Sequence, residues 1–493
     1  MMNPHPGHRS PPSVPFWLLP AIALALMLYR AWVILHLRID PYVDEAYYWG
    51  WAQALDWGYY SKPPLIAALI ALSETLFGDH LLALKAPSLI LYPATALVIQ
   101  QLGRRLFDQR IGFWAGLAFL SLPLVSALGL FVSTDAPLLF FWALGMLLLW
   151  HTLGTGAVAG WIGIGVVAGL GLMSKYTMAA FIGSAFLALI AHPGGWRQLA
   201  RPGPWLALVI AFMLFAPNLW WNWQHGFPTF QHTAEITRLG GDRSLHPDEL
   251  LEFIGAQWAS FGLLLSLGLV SALLRLRSLW ADTRFRFLLM FVLPLLLLVG
   301  AQALTGRANG NWAAPIFVAA CVLTLAFLGK RRRWRFAAIA MALNLAMALS
   351  AYHWPDLLQL AGQPASARLD PYKRARGWQE LAEDVRPHLA AHPDAVLVGD
   401  DRELLAHLIY QLRPAHHARW QPVAHIKDHY GLTVPLQPQT TGPLLFVLSA
   451  RTDPATLLPH FASAQKLADI EVSVHPDLQR RASVWLMHGF RGY

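Results

Sequence analysis

The chain has 493 residues, 56% of them hydrophobic and only 13% charged, with a mean hydropathy of +0.42. This composition excludes an ordinary soluble enzyme of this length and predicts an integral membrane protein. The net charge of +9 does not point to nucleic acid, because the basic residues cluster in short segments between apolar runs, and the one cysteine, Cys321, excludes a disulfide framework and a thiolate metal site.

Residues 1–15 are rich in Pro, His and Ser and predict a disordered start, with Arg9 leading into an apolar run over 16–37. That run continues well past Ala23-Leu24-Ala25, where a signal peptide would be cut, so it predicts a retained membrane anchor. Arg30 inside it is costly in hydrocarbon and is expected to snorkel. The stretch 38–80 is predicted as an outer loop. Further spans are predicted over 81–102, 112–132, 137–153, 157–173, 177–191, 205–220, 251–274, 287–304, 313–328 and 336–351, about eleven helices in all.

Every second loop is basic: Arg104, Arg105 and Arg110; Arg197 and Arg201; Arg275, Arg277, Arg284 and Arg286; and Lys330 to Arg335. The positive-inside rule makes those loops cytoplasmic. The alternate loops hold Asp44, Glu45, Lys62, Asp135, Lys175 and Arg307, so the candidate chemistry gathers on the outer side. From 352 onward the composition is that of a soluble domain, also outside. Ala395–Val398, then Gly399-Asp400-Asp401, then RELLAHLIYQL read as strand, turn and helix, and Leu444–Leu448 followed by Asp453 capping ATLLPHFASAQ repeats the pattern. The fold class predicted is therefore a polytopic α-helical membrane domain over 16–351 with a small C-terminal α/β domain over 352–493.

Within the outer loop, residues 44–64 combine Asp44, Glu45, Asp56 and Lys62 with a dense set of aromatic side chains. Asp44, Tyr47, Tyr48 and Trp51 recur at i, i+3, i+4 and i+7, so a helix would set one acid on an aromatic face, and such rings are expected at the membrane–water boundary. Gly58 and Pro63-Pro64 end that helix and present Lys62, flanked by Tyr59 and Tyr60, before the next apolar run. Asp44-Glu45 can serve as a general base or simply start a helix. Lys62 can hold a phosphate or snorkel.

Asp135, in Ser133-Thr134-Asp135, reads first as an N-cap, a frequent use of such residues. Ser174-Lys175-Tyr176 marks a turn between two short helices, with Lys175 placed to face a lipid phosphate. RANGNW, which includes Arg307 and Asn311, is a polar turn whose Arg and Asn side chains suit an anion or a sugar. The longer outer loop, with His225, His232, Glu235 and Asp242, is polar and aromatic enough to line a sugar or lipid pocket, but its histidines are too scattered to predict a metal site. Phosphate-loop signatures are absent.

An acidic pair after the first helix, an aromatic row, GYYSKPPL, STDAPLLFFWAL, RANGNWAAP and GWQELAEDV together resemble the GT-C superfamily of membrane glycosyltransferases. The branch is similar to bacterial relatives of protein O-mannosyltransferases and of the lipid A aminoarabinose transferase. The resemblance implies transfer of a sugar from a polyprenyl phosphate to a lipid, glycan or protein acceptor, on the periplasmic face of a bacterial inner membrane, without cofactor or metal. It implies Asp44 as catalytic acid residue with Glu45 beside it, Asp135 as second outer-loop acid, and Lys62 on the donor phosphate, with Lys175 and Arg307 as further phosphate contacts. Tyr47, Tyr48, Tyr59, Tyr60 and Asn311 would line the substrate. A polytopic lipid or solute transporter is the alternative, but it should show a pseudo-repeat and matching broken helices, and neither is found.

Overall fold

The structure, a computed structural model, describes residues 14–238, 244–423 and 425–493. The expected disordered start with Arg9, and Asp242, lie outside the described residues.

Helices dominate up to residue 360. Among the described residues, six are long and apolar enough to cross a membrane: Leu18–Leu37, Leu81–Leu106, Asp135–Thr155, Pro202–Gln224, Thr283–Thr305 and Trp334–Tyr352. The apolar stretches 158–174, 176–191 and 316–330 form shorter helices, and the predicted outer loop contains one more, Leu65–Phe77. Two predicted spans are broken. The stretch 112–132 divides at Leu122-Pro123, because the proline cannot donate into the preceding helix. The stretch 251–274 bends by 110° between Pro247–Phe261 and Leu263–Leu273. The bend needs Gly262, whose φ of +90° is closed to most side chains and whose added Cβ would strike the Asn344 amide.

Three of the basic segments, around Arg110, Arg284 and Lys330, meet at one end of the helical region. Lys330 pairs with Asp282 at 3.0 Å, and the guanidinium of Arg110 lies 4.2 Å from the Trp334 ring centroid. Arg30 does not snorkel as expected: it is buried, donating to the Tyr352 hydroxyl at 3.1 Å and the Leu120 carbonyl at 3.3 Å. Partners across the bundle satisfy its polar atoms, which removes the reason to reach the surface.

The C-terminal domain is a mixed sheet ordered β2-β1-β3-β5-β4, with β1 (Val396–Gly399), β2 (His417–Arg419), β3 (Leu444–Ser449), β4 (Phe461–His475) and β5 (Leu478–Phe490). The first three are parallel; β5 runs antiparallel to β3 and β4. The strand, turn and helix read at 395–412 are present, with Asp401 capping the Arg402–Leu412 helix. The second predicted helix, 455–465, is not. Asp453 caps only a short turn, Pro459 interrupts further winding, and Phe461 onward pairs with β5 as a long strand. The domain is tied back to the end of the first helix by Asp40, which accepts from Trp378 N at 2.8 Å and donates its own N–H to the Ala375 carbonyl at 2.9 Å.

Candidate active site

The acidic pair opens the Val43–Gln53 helix, and its two members face different surroundings. Glu45 turns inward and is buried. One carboxylate oxygen accepts from Tyr42 N at 2.7 Å, closing the helix start; the other accepts from Val132 N at 2.6 Å, and Lys85 Nζ binds both at 2.5 and 2.7 Å. Glu45 and Lys85 are each only 1% exposed. Glu45 is thus fully engaged in joining three segments. Asp44 is 44% exposed on its side chain and, among the described residues, meets only Arg402 Nη1, at 3.3 Å.

Lys62 is held in place by the loop before it. Asn218 Nδ2 donates to the Trp57 carbonyl at 2.7 Å, Trp221 Nε1 donates to Asp56 at 2.6 Å, and Gly58 lies so close that an added Cβ would overlap the Trp221 indole. Tyr59 N then bonds the Lys62 carbonyl at 3.1 Å, turning the chain into Pro63-Pro64. Lys62 is half-buried and, among the described residues, has no carboxylate partner. Burial, and then the nearby Lys175 charge, lower its pKa to about 8, while Asp44 and Asp135 act in the opposite direction.

Asp135 is buried at the start of its helix but does not cap it. It accepts from Lys175 Nζ at 2.8 Å and from Asn311 Nδ2 at 2.8 Å. One acid thus joins the STDAP, SKY and RANGNW motifs. Lys175 ends the Val158–Ser174 helix, so the predicted turn is present, and it is only 12% exposed.

Lys62 and Lys175 line a cavity of about 570 Å³ together with Tyr176 and Trp312; the rest of the wall is mainly apolar, from Ile236, Leu295, Leu298 and Val299. Arg307 is not brought to it. Arg307 lines a separate polar cavity of about 160 Å³ with Glu249, Glu252 and Asn309.

The tyrosines are not displayed at a membrane surface. Tyr47, Tyr48, Tyr59 and Tyr60 are buried, and Trp51 stacks on Tyr59 at 4.5 Å. The C-terminal domain covers them: His429 N bonds the Tyr47 hydroxyl, and Tyr60 donates to the Ile426 carbonyl at 2.9 Å. That domain also supplies Arg402, whose guanidinium lies 5.0 Å from the Tyr47 ring centroid. Neither Arg402 nor Lys85 is singled out by sequence reasoning. The only signal for Arg402 is its place at the start of the helix after the Gly399-Asp400-Asp401 turn. His232, read as part of a pocket-lining loop, packs against Tyr60 at 5.2 Å, and burial followed by the Lys62 charge lowers its pKa to about 4.

Residues 61–221 match the family described as dolichyl-phosphate-mannose-protein mannosyltransferase. The fold matches a crystal structure of ArnT from Cupriavidus metallidurans bound to undecaprenyl phosphate, with a TM-score of 0.62 over 94% of this chain and 97% of that one, at 17% identity. In part of its sequence and in its fold, the chain is thus similar to the GT-C membrane glycosyltransferases. Among curated relatives, this chain is 28% identical to the lipid A galacturonosyltransferase RgtD of Rhizobium johnstonii over 443 residues, 89% of this chain and 92% of that protein. It is 27% identical over 169 residues to the undecaprenyl phosphate-alpha-4-amino-4-deoxy-L-arabinose arabinosyl transferase of Pseudomonas aeruginosa, 32% of this chain and 30% of that one.

Proposed function

We propose that this transferase moves a sugar from a polyprenyl phosphate to lipid A on the periplasmic face of a bacterial inner membrane. The observation that carries this reading is the cavity headed by Lys62 and Lys175 and walled by apolar side chains, which suits a phosphate attached to a hydrocarbon tail. The similarity to a lipid A galacturonosyltransferase along nearly the whole of both chains supports lipid A as acceptor and a uronic acid as the sugar.

In this mechanism Asp44 takes the proton of the acceptor hydroxyl as that oxygen attacks the anomeric carbon. The bond from that carbon to the phosphate oxygen breaks with inversion, and Lys62 stabilises the departing phosphate. Asp44 is favoured over its neighbours because Glu45 is saturated by Lys85 and Asp135 by Lys175 and Asn311, whereas the Arg402 contact is long and open to replacement by substrate. The Lys175 bond to Asp135 gives Lys175 a secondary part at the phosphate, and its separate cavity takes Arg307 away from it. Asn311 acts by orienting Asp135.

The chain crosses the membrane about eleven times, broken spans included, with the Arg110, Asp282 and Lys330 end cytoplasmic. Cysteine labelling of Arg284→Cys from outside intact cells would overturn this orientation. For the activity, purified protein is incubated with lipid A and polyprenyl-phosphate-linked galacturonic acid or aminoarabinose, and lipid A is weighed by mass spectrometry. One added glycosyl residue is expected, with galacturonic acid the better donor. No added mass from either donor, with protein that binds polyprenyl phosphate, would sink the reading.

A further inference from the structure

A second constellation lies outside the candidate active site, where the first helix ends and the last long apolar helix gives way to the C-terminal domain. His36, in the last turn of Leu18–Leu37, meets His353 and Asp356 at the start of Trp354–Leu360, although His36 and Asp356 are 320 positions apart in the chain. His36 Nε2 is 3.1 Å and His353 Nδ1 is 3.0 Å from the same Asp356 oxygen, and the three ligand atoms all lie within 4.8 Å of one another. We propose that these three side chains form a binding site for a divalent metal ion of the zinc type, clasping the first helix to the entry of the C-terminal domain.

Two imidazoles and a carboxylate are a suitable donor set for zinc. Bonds of about 2.0–2.1 Å to a tetrahedral ion place ligand atoms roughly 3.3 Å apart, so the two contacts to Asp356 need to open by only a few tenths of an ångström, and the two imidazole nitrogens, within 4.8 Å of each other, have to settle at the same spacing. The rings are already oriented. His353 Nε2 is 2.7 Å from the Tyr29 hydroxyl, a partner that leaves Nδ1 free to turn its lone pair toward an ion. His36 stacks on Trp32 at 4.8 Å and 11°. Both supports come from the same helix as His36, so the pocket is fixed from one side and closed by the other. The ligand side chains are between 30% and 43% exposed, which leaves the fourth position to water and gives the ion a route in. Sequence spacing cannot show this site, because its ligands come from opposite ends of the membrane region.

The test uses untagged, full-length protein in detergent, stripped with a chelator. Titration with Zn²⁺ by calorimetry should show one saturable site at pH 7.5, at least tenfold weaker at pH 5.5, where protons compete for the imidazoles. His36→Gln and Asp356→Asn should each weaken it tenfold or more, with the melting temperature of the metal-free protein unchanged. Because a variant can fail to fold, Co²⁺ is added to the wild-type protein as well: visible absorption bands of a four-coordinate cobalt centre are expected. No saturable binding, absence of those bands, or equal binding by the His36→Gln/Asp356→Asn double variant would overturn the proposal. Glycosyl transfer is not part of the readout, so the result is independent of the proposed activity.

Discussion

Two acid–base clusters flank the start of the same short helix, and they differ in how much bonding capacity they leave unused. Around Glu45 everything is spent: two backbone N–H groups and the Lys85 ammonium saturate a carboxylate from which water is excluded. Around Asp44 and Lys62 little is spent. Asp44 has one long contact to Arg402, and Lys62 has a depressed pKa and no carboxylate partner among the described residues. On the proposed function, adjacent residues of one chemical type therefore divide into a clamp and a reagent. A saturated buried pair holds segments together; only an unsaturated group can take a proton or a phosphate.

The largest test of this contrast is Asp44→Asn. It keeps the size of the side chain but removes the basic oxygen, so transfer should fall by roughly 10²–10⁴ while the melting temperature stays put. A folded Asp44→Asn protein with near-normal turnover would hand the base to Asp135 and erase the distinction between clamp and reagent.

Lys85→Ala should behave in the opposite way. Leaving Glu45 charged and alone in the interior should cost on the order of 3–5 kcal/mol of stability, visible as a large drop in melting temperature in detergent. If Lys85→Ala keeps its melting temperature, Glu45 is not the clamp that its geometry suggests.

Lys62→Ala should weaken binding of the lipid donor by about 1.5–3 kcal/mol, and Lys62→Arg should restore only part of it, since a planar fork presents its donors differently. Its titration sharpens the point. Only the protonated amine attracts phosphate, and its pKa is lowered to about 8. Donor affinity should therefore hold below that value and decline as pH rises through it, and the decline should be absent in Lys62→Arg. Binding isotherms for a polyprenyl phosphate between pH 7 and 9 measure both effects.

The smallest effect is expected at the seam with the C-terminal domain. Tyr60→Phe removes the bond to the Ile426 carbonyl and should lower stability by about 0.5–1.5 kcal/mol, with faster hydrogen exchange in the segment around Ile426. Unchanged exchange there would mean that the aromatic packing alone holds the seam.

Much of this was legible in the residues. Apolar runs separated by basic segments marked the helices, because the hydrophobic effect and the positive-inside bias act on composition itself. The acid, lysine and turn motifs stood out because charged groups are costly beside hydrocarbon and persist where something uses them. The strand, turn and helix at 395–412 followed local periodicity and the Asp401 cap.

What stayed hidden depended on partners distant in the chain. The sequence determined that Asp44, Glu45, Lys62, Asp135 and Lys175 exist near helix ends, but not which of them would be neutralised. Only the tertiary structure matched Glu45 with Lys85, Asp135 with both Lys175 and Asn311, and Asp44 with Arg402 from the C-terminal domain. It also buried the tyrosine row beneath that domain, turned Arg30 inward onto Tyr352, and set Arg307 apart. The physical reason is common to all of these. Period and propensity are read from neighbours within a few positions, whereas the fate of a charge is decided by desolvation and by whichever opposite charge the folded chain brings within about 4 Å.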